Sequence, residues 1–218
     1  MNEIVVRPLR FSTDVPAMRA FLETLGLRSR IESERGGWVD MVAGRGMVAL
    51  HDAASSSTGA KARDTRLSFE ADEIDELKSR LEAAGYQEVA IWDEAYGRVL
   101  SVLGPDDTTL WIDERSKDLY GYKLHDAHPD TRWSVTPRLA VQDQAGWQRF
   151  LQTLGGENAE LVRFDPPAAE VEVQLELSTS EPLDEVVRRL VATGYEPTEA
   201  PDGLSVVDPD GLIVRVHG

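Results

Sequence analysis

The sequence predicts an α+β fold made of tandem βαβββ modules, on three observations. Four times along its 218 residues a short apolar strand runs straight into an amphipathic helix that stops on Gly. These segments open at Leu9, Leu67, Leu139 and Leu175 and close at Gly26, Gly85, Gly155 and Gly194. After the helix come further short alternating segments. The second and fourth copies then share a turn signal, Gly104-Pro105-Asp106-Asp107 and Asp208-Pro209-Asp210-Gly211. A repeat of this size marks a fold built by duplication, with equivalent positions to compare for chemistry.

In the first module Asp14 stands where a helix N-cap belongs and Pro16 in the first turn. Met18, Phe21, Leu22 and Leu25 then recur at helical spacing up to Gly26, and strands are expected over 29–34, 38–42 and 47–51. In the second, Asp72 is expected to cap a helix carrying Ile74, Leu77 and Leu81, followed by strands over 88–92, 98–103 and 109–113. Residues 116–134 have no sustained periodicity and read as a connector. The third module is degenerate: one strand near 161–164 precedes Asp165-Pro166-Pro167, which breaks the chain. The fourth returns to the full plan, with strands over 204–207 and 212–216 flanking its turn. Modules in pairs give two domains, 1–115 and a shortened 135–218, and an internal duplication of this kind suits a monomer or a homodimer.

Composition narrows the partners. A formal net charge of −16 argues against nucleic acid and anionic membranes, which require a basic footprint, and favours cationic small molecules. The same charge also serves solubility alone. No apolar run approaches membrane-spanning length, and MNEIVVRPLRF lacks the features of a secretory signal, so a cytoplasmic protein is expected. The absence of Cys removes disulfides, thiolate nucleophiles and zinc–thiolate sites. Gly44-Arg45-Gly46 is too short for a phosphate loop, and the serines of 55–58 fit no nucleophile elbow. Enzyme chemistry therefore has no template in the sequence, and no cofactor is expected.

The openings LRFSTDVPAMRAFLETLGL and LSFEADEIDELKSRLEAAGY, with the closing hairpins GPDDTTLWIDE and DPDGLIVRVHG, resemble the vicinal oxygen chelate superfamily. That superfamily includes glyoxalase I, extradiol dioxygenases, fosfomycin-modifying enzymes and bleomycin-resistance proteins. The resemblance implies two glyoxalase-like open barrels whose concave faces hold ligands, on a scaffold that hosts several chemistries. It also implies a divalent metal held by His or Gln in a first strand and Glu in a last strand. Here the first-strand positions match Arg7 and Arg66, and the last-strand positions match Ala49, Trp111 and Val214. None of these is an ordinary metal ligand, so the expected metal is none. A register displaced by two residues would instead bring in His51, assisted by Asp40 or Glu70. His125, Asp126, His128 and Asp130 form the only local His/Asp cluster, inside the connector.

On that implied model the ligand pocket lies in the first domain and is formed by Trp38, His51, Arg66, Ser68, Trp92, Tyr96 and Trp111. Aromatic faces stack on planar or cationic ligands. The same tryptophans also suit plain sheet packing. The function this suggests is metal-free sequestration of an aromatic or drug-like small molecule, in the manner of bleomycin-resistance proteins. The alternative is a glyoxalase- or dioxygenase-like metalloenzyme with an atypical site.

Overall fold

A computed structural model describes residues 4–56, 59–94, 97–115, 120–155 and 160–218. The strand β1 (Ile4–Val6) precedes module one, which comprises β2 (Leu9–Ser12), α1 (Val15–Thr24), β3 (Arg28–Ser33), β4 (Trp38–Val42) and β5 (Met47–Asp52). A short strand, β6 (Thr65–Arg66), leads into module two: β7 (Ser68–Ala71), α2 (Ile74–Ala83), β8 (Gln87–Glu94), β9 (Gly97–Leu103) and β10 (Thr109–Glu114). Then come β11 (Tyr122–Leu124) and β12 (Trp133–Val135). Module three is β13 (Arg138–Ala140), α3 (Gln144–Leu154), β14 (Arg163–Phe164) and β15 (Glu172–Gln174). Module four is β16 (Glu176–Thr179), α4 (Leu183–Ala192), β17 (Thr198–Ala200), β18 (Gly203–Val207) and β19 (Ile213–His217). The βαβββ plan is present in modules one, two and four, and shortened in three. Among the described residues no helix is long and apolar enough to cross a membrane.

In each complete module the first and last strands pair in parallel and the rest antiparallel, giving the local orders β3-β4-β5-β2, β8-β9-β10-β7 and β17-β18-β19-β16. Adjacent modules exchange strands. β1 leaves module one to pair with β7, while β6, which precedes module two, pairs with β2. In the same way β12, which precedes module three, pairs with β16 of module four. The expected connector is thus partly strand, since β11 and β12 are edge strands of two different sheets. Their three-residue length hides any period-2 signal.

The helix caps follow the sequence in one case and depart from it in another. Asp14 accepts a hydrogen bond from the Ala17 amide at 2.9 Å, and Gly26 takes φ +87°, where a Cβ would lie 2.8 Å from the Trp133 ring. Asp72 does not cap α2. The N-cap is Glu73, which makes no side-chain cap bond, and Asp72 instead pairs with Arg115 at 2.8 Å. An ion pair with the residue that follows β10 takes the place of the local cap.

The apolar faces of the helices make two cores, and neither is confined to one half of the chain. Met18, Phe21 and Leu22 of α1 share a core with Trp133, Leu177, Val186, Leu190 and Val214. Leu77 and Leu81 of α2 share the other with Trp147, Phe150, Leu151 and Leu154 of α3. Module one therefore packs with four, and two with three. The duplicated turns lock these contacts. Asp210 accepts from Ser12 Oγ and from the Thr13 amide and hydroxyl, each at 3.1 Å, at the entry to α1. Its counterpart Asp106 accepts from the Gln142 and Asp143 amides and the Trp147 indole at 3.0–3.2 Å, at the entry to α3. Arg189 of α4 and Arg80 of α2 likewise donate to the last carbonyls of α1 and α3, those of Thr24 and Leu154.

Asp106 holds φ +53°, a left-handed conformation that Asn tolerates and Ala resists. Asp106→Ala strands the indole N–H of the fully buried Trp147 and is expected to cost about 1–3 kcal/mol by urea unfolding. Asp106→Asn, which keeps an acceptor oxygen, is expected to lose less than half of that; equal losses in the two variants would refute the docking role.

Candidate functional site

Strand alternation decides which side chains face inward. In β2, β4, β5, β7 and β10 one set of residues enters the helix-side cores, and the other set, including Leu9, Phe11, Trp38, Asp40, His51, Ser68, Glu70, Trp111 and Asp113, points between the first two sheets. These enclose a cavity of about 430 Å³. Ile31, Ser33 and Tyr122 complete its walls, and Arg35, Gly36, Gly37, Ser55 and Ser56 lie among its lining residues beside Glu94 and Glu114. Five acids line it (Asp40, Glu70, Glu94, Asp113 and Glu114) against two arginines, Arg7 and Arg35.

Its floor is a buried ionic network. Arg7, 4% exposed, reaches Asp40 at 3.3 Å with one nitrogen and Asp113 with the other. Arg30 contacts Asp40 at 3.4 Å and also Glu70, and Arg115 binds Glu70 at 2.7 Å. Burial opposes the Arg7 charge, but Asp113, Asp40 and Glu70 outweigh it, so the guanidinium is held more firmly protonated than usual. Burial pushes Asp40 above the ordinary carboxylate range, against the pull of Arg7 and Arg30 and with Glu70 and Asp113 adding repulsion. Glu70 goes the other way: burial raises it, but Arg30, Arg115 and Arg7 together hold it below the ordinary range. The Tyr122 hydroxyl is pushed up by burial, with Asp40 and Asp113 contributing.

Above this floor the walls are aromatic. The Arg7 guanidinium lies 5.6 Å from the Trp38 ring centroid, and Trp38 meets His51 edge-to-face at 5.5 Å. The His51 Nδ1 lies 2.7 Å from the Asp52 carbonyl oxygen, so it carries the proton and donates, leaving Nε2 free to accept.

Of the residues expected from the sequence, Trp38, His51, Ser68 and Trp111 line this cavity. Arg66 does not: it lies on β6 with its guanidinium 5.4 Å from the Phe11 ring. Trp92 is also outside the lining, on the edge strand β8, 37% exposed and bonded to Glu94 at 2.9 Å. Its polar flanking sequence marked an exposed edge, not a pocket. Tyr96 lies outside the described residues. Arg7, Asp40 and Glu70, considered from the sequence only as substitutes for metal ligands, are central here. Phe11, Asp113 and Tyr122 were missed, as were Arg30 and Arg115 behind the floor. Stepping two residues along each strand from Trp38, Ser68 and Trp111 reaches Asp40, Glu70 and Asp113, so alternation alone carried that signal. In the fourth module the register pairs Arg215 with Glu176, as Trp111 pairs with Ser68. The position equivalent to Trp111 is therefore Arg215, and Val214 is a core residue.

The donor set does not suit a metal. The three carboxylates of the floor already receive guanidinium nitrogens, and among the described residues no three His, Asp or Glu side chains group as a coordination sphere. The His/Asp cluster of the connector does not converge either. His125 pairs with Glu32 at 3.0 Å, His128 with Asp126 at an exposed site, and Asp130 with Arg132.

In sequence the chain matches no protein-family model and no curated protein. In structure it is similar to the Mn(II)-bound glyoxalase from Novosphingobium aromaticivorans, at 17% identity and TM-score 0.56 over 97% of this chain and 80% of that one. It is also similar to the 2,3-dioxygenase LapB from Pseudomonas sp. KL28, at 12% identity and TM-score 0.63 over 98% and 90%. A third is the 2,2',3-trihydroxybiphenyl 1,2-dioxygenase of Sphingomonas wittichii strain RW1, at 16% identity and TM-score 0.58 over 98% and 88%. The fold is thus the vicinal oxygen chelate fold that the sequence resembles.

The network makes acid stability depend on Glu70. Its carboxylate is held below the ordinary value of 4.5, so its contribution is complete above that pH and is lost as pH falls through the lowered value. Asp40, raised from 3.8, has the opposite sign: its ionised form costs stability that is recovered on acidification. Glu70→Gln is expected to be less stable than the parent at pH 7, with the difference shrinking below pH 4.5. A difference that stays constant across urea titrations at pH 7, 5 and 3 would count against the assignment.

Proposed function

We propose that the protein binds a small molecule without a metal, in the cavity of the 1–115 half, and that the ligand combines a flat aromatic body with a cationic group. The observation that carries this reading is the floor itself. Where a chelating enzyme needs open carboxylate or imidazole ligands, Arg7 and Arg30 occupy Asp40, Glu70 and Asp113. Trp38, Trp111 and Phe11 offer apolar and aromatic surface above it, on which a planar cation can stack, and Glu94 adds a carboxylate to the lining. Sequestration of a drug-like compound, as in bleomycin-resistance proteins, is the activity that such a site serves, in a protein working in the cytoplasm.

A second reading is supported by the comparisons more than the first: a glyoxalase- or dioxygenase-like metalloenzyme with an atypical site, since the similar structures are of such enzymes. In its favour within this chain is the free Nε2 of His51 in the same cavity as the acids.

Titration with the planar aromatic cation proflavine, followed by tryptophan fluorescence, tests the first reading. Saturable quenching is expected, weakened roughly tenfold in Trp111→Ala, as loss of a desolvated stacking and cation–π contact worth about 1–2 kcal/mol requires. Protein purified without chelator is expected to carry less than about one-tenth of an equivalent of manganese, iron or zinc, since the site lacks the three or four ligands such ions take. Stoichiometric metal that is lost in His51→Ala would replace the first reading with the second.

A further inference from the structure

The other concave face, in module four, has a different chemistry. Along β18 and β19 the residues Leu204, Val206, Val214 and Val216 enter the core, so their neighbours face the opposite way. That face carries three directly paired rungs: Gly203 with His217, Ser205 with Arg215, and Val207 with Ile213. In module two the equivalent face is covered by module one. Here module three offers only the three short strands β13, β14 and β15, and the end of the face stays open: Val207 is 55% and Ile213 62% exposed. Between these sheets lies a second cavity of about 360 Å³, lined by Arg138, Arg215, His217, Ser205 and, from the β17–β18 hairpin, Glu199 and Asp202.

The charges on its floor leave one cation loosely paired. Glu176, 1% exposed, accepts from Arg138 Nε at 2.9 Å and from His217 Nε2 at 2.7 Å. Arg138 also binds Asp165 at 3.0 Å. Arg163, directly opposite Arg138 on β14, donates to the Ser178 hydroxyl at 3.0 Å. Three arginines, Arg138, Arg163 and Arg215, stand with the carboxylates Glu176 and Asp165, and Glu199 and Asp202 of the hairpin also line the cavity. The most loosely paired of these cations is Arg215: among the described residues its ion pair is a long 3.6 Å contact with Glu176, and its side chain is 46% exposed. The His217 Nδ1 is buried without a hydrogen-bond partner, so the wall does not complete its own polar contacts.

We infer that Arg215, at the edge of this cavity, anchors the carboxylate of a small organic acid, with Val207 and Ile213, on the next rung outside the lining, receiving the apolar body. A guanidinium fork matches a carboxylate in bidentate geometry. Two exposed apolar side chains in register beside it provide for the remainder of an amphiphilic monoanion. Glu199 and Asp202 on the hairpin repel polyanions, which separates this ligand from nucleotides and polyphosphates. The site shares no side chain with the aromatic cavity and is independent of the function proposed for it.

Calorimetric titration of the full chain with octanoate and with benzoate tests this, with inorganic phosphate as the comparison. Saturable binding of at least one of the acids is expected, weakened roughly tenfold or more in Arg215→Gln, weakened for octanoate in Ile213→Ser, and unchanged in Trp111→Ala. Arg215 is half-exposed and off the core, so Arg215→Gln is expected to keep the parent's unfolding midpoint. Absence of saturable binding of either acid would overturn the inference. So would unchanged affinity in Arg215→Gln, loss of binding in Trp111→Ala, or phosphate binding as tight as octanoate. The proflavine titration fails or succeeds separately, through Trp111.

Discussion

Every sheet in this molecule has two faces to cover, and a helix covers only one of them. That constraint organises the rest. The helix-side faces meet across the halves of the chain, module one with four and two with three, while the inner faces meet within each half. The two faces of a module therefore meet different partners, completely in the first two modules and only in part in the fourth, and neither half keeps an apolar core to itself. The turns carrying Asp106 and Asp210, and the arginines Arg80 and Arg189 on the helix ends, fix the cross-half contacts by directional hydrogen bonds that apolar packing cannot supply.

The inner faces are where the copies have diverged. Between the first two modules the space is closed over a cluster of opposite charges; such a cluster pays heavily in desolvation and is weak evidence for stability. Its pairing of three guanidinium groups with three carboxylates offsets part of that cost, and it occupies groups that a chelating site would leave open. Between the last two modules a shortened partner leaves the face half uncovered, and one cation there is loosely paired. One scaffold thus offers two concavities of different lining, one closed and aromatic over a paired charge network, the other open and mixed in charge.

Much of the fold was legible because its signals are local: helix spacing up to Gly26 and Gly85, the Asp14 cap, and the paired hairpin turns. What escaped was decided at long range or in very short segments. The strands β11, β12 and β15 are three residues each, below the length at which alternation shows. Asp72 satisfied every local criterion for a cap, yet it is drawn to Arg115, more than forty residues away in sequence. A one-residue offset in the final strand exchanged the core residue Val214 for the cavity residue Arg215, because a period of two turns any slip into a change of face. At the candidate site Trp111 was readable as a residue that replaces a ligand, and Trp38 as an aromatic of the implied pocket. The Arg7–Asp113 and Arg30–Glu70 contacts span positions that no local pattern connects.

The exchange of β1 and β6 between the first two sheets bears on how anything enters the space between them. Each sheet holds a strand belonging to the neighbouring module's lead-in, hydrogen-bonded along its length. Parting the two sheets would break both ladders at once, so this chamber does not breathe like a hinged shell. Passage falls to its rim, where, among the described residues, Gly36 has no atom within 4 Å of the place a Cβ would occupy, and where Arg35, Ser55 and Ser56 stand. A ligand of the kind proposed would meet these small and polar groups at the rim before any contact with the charged interior.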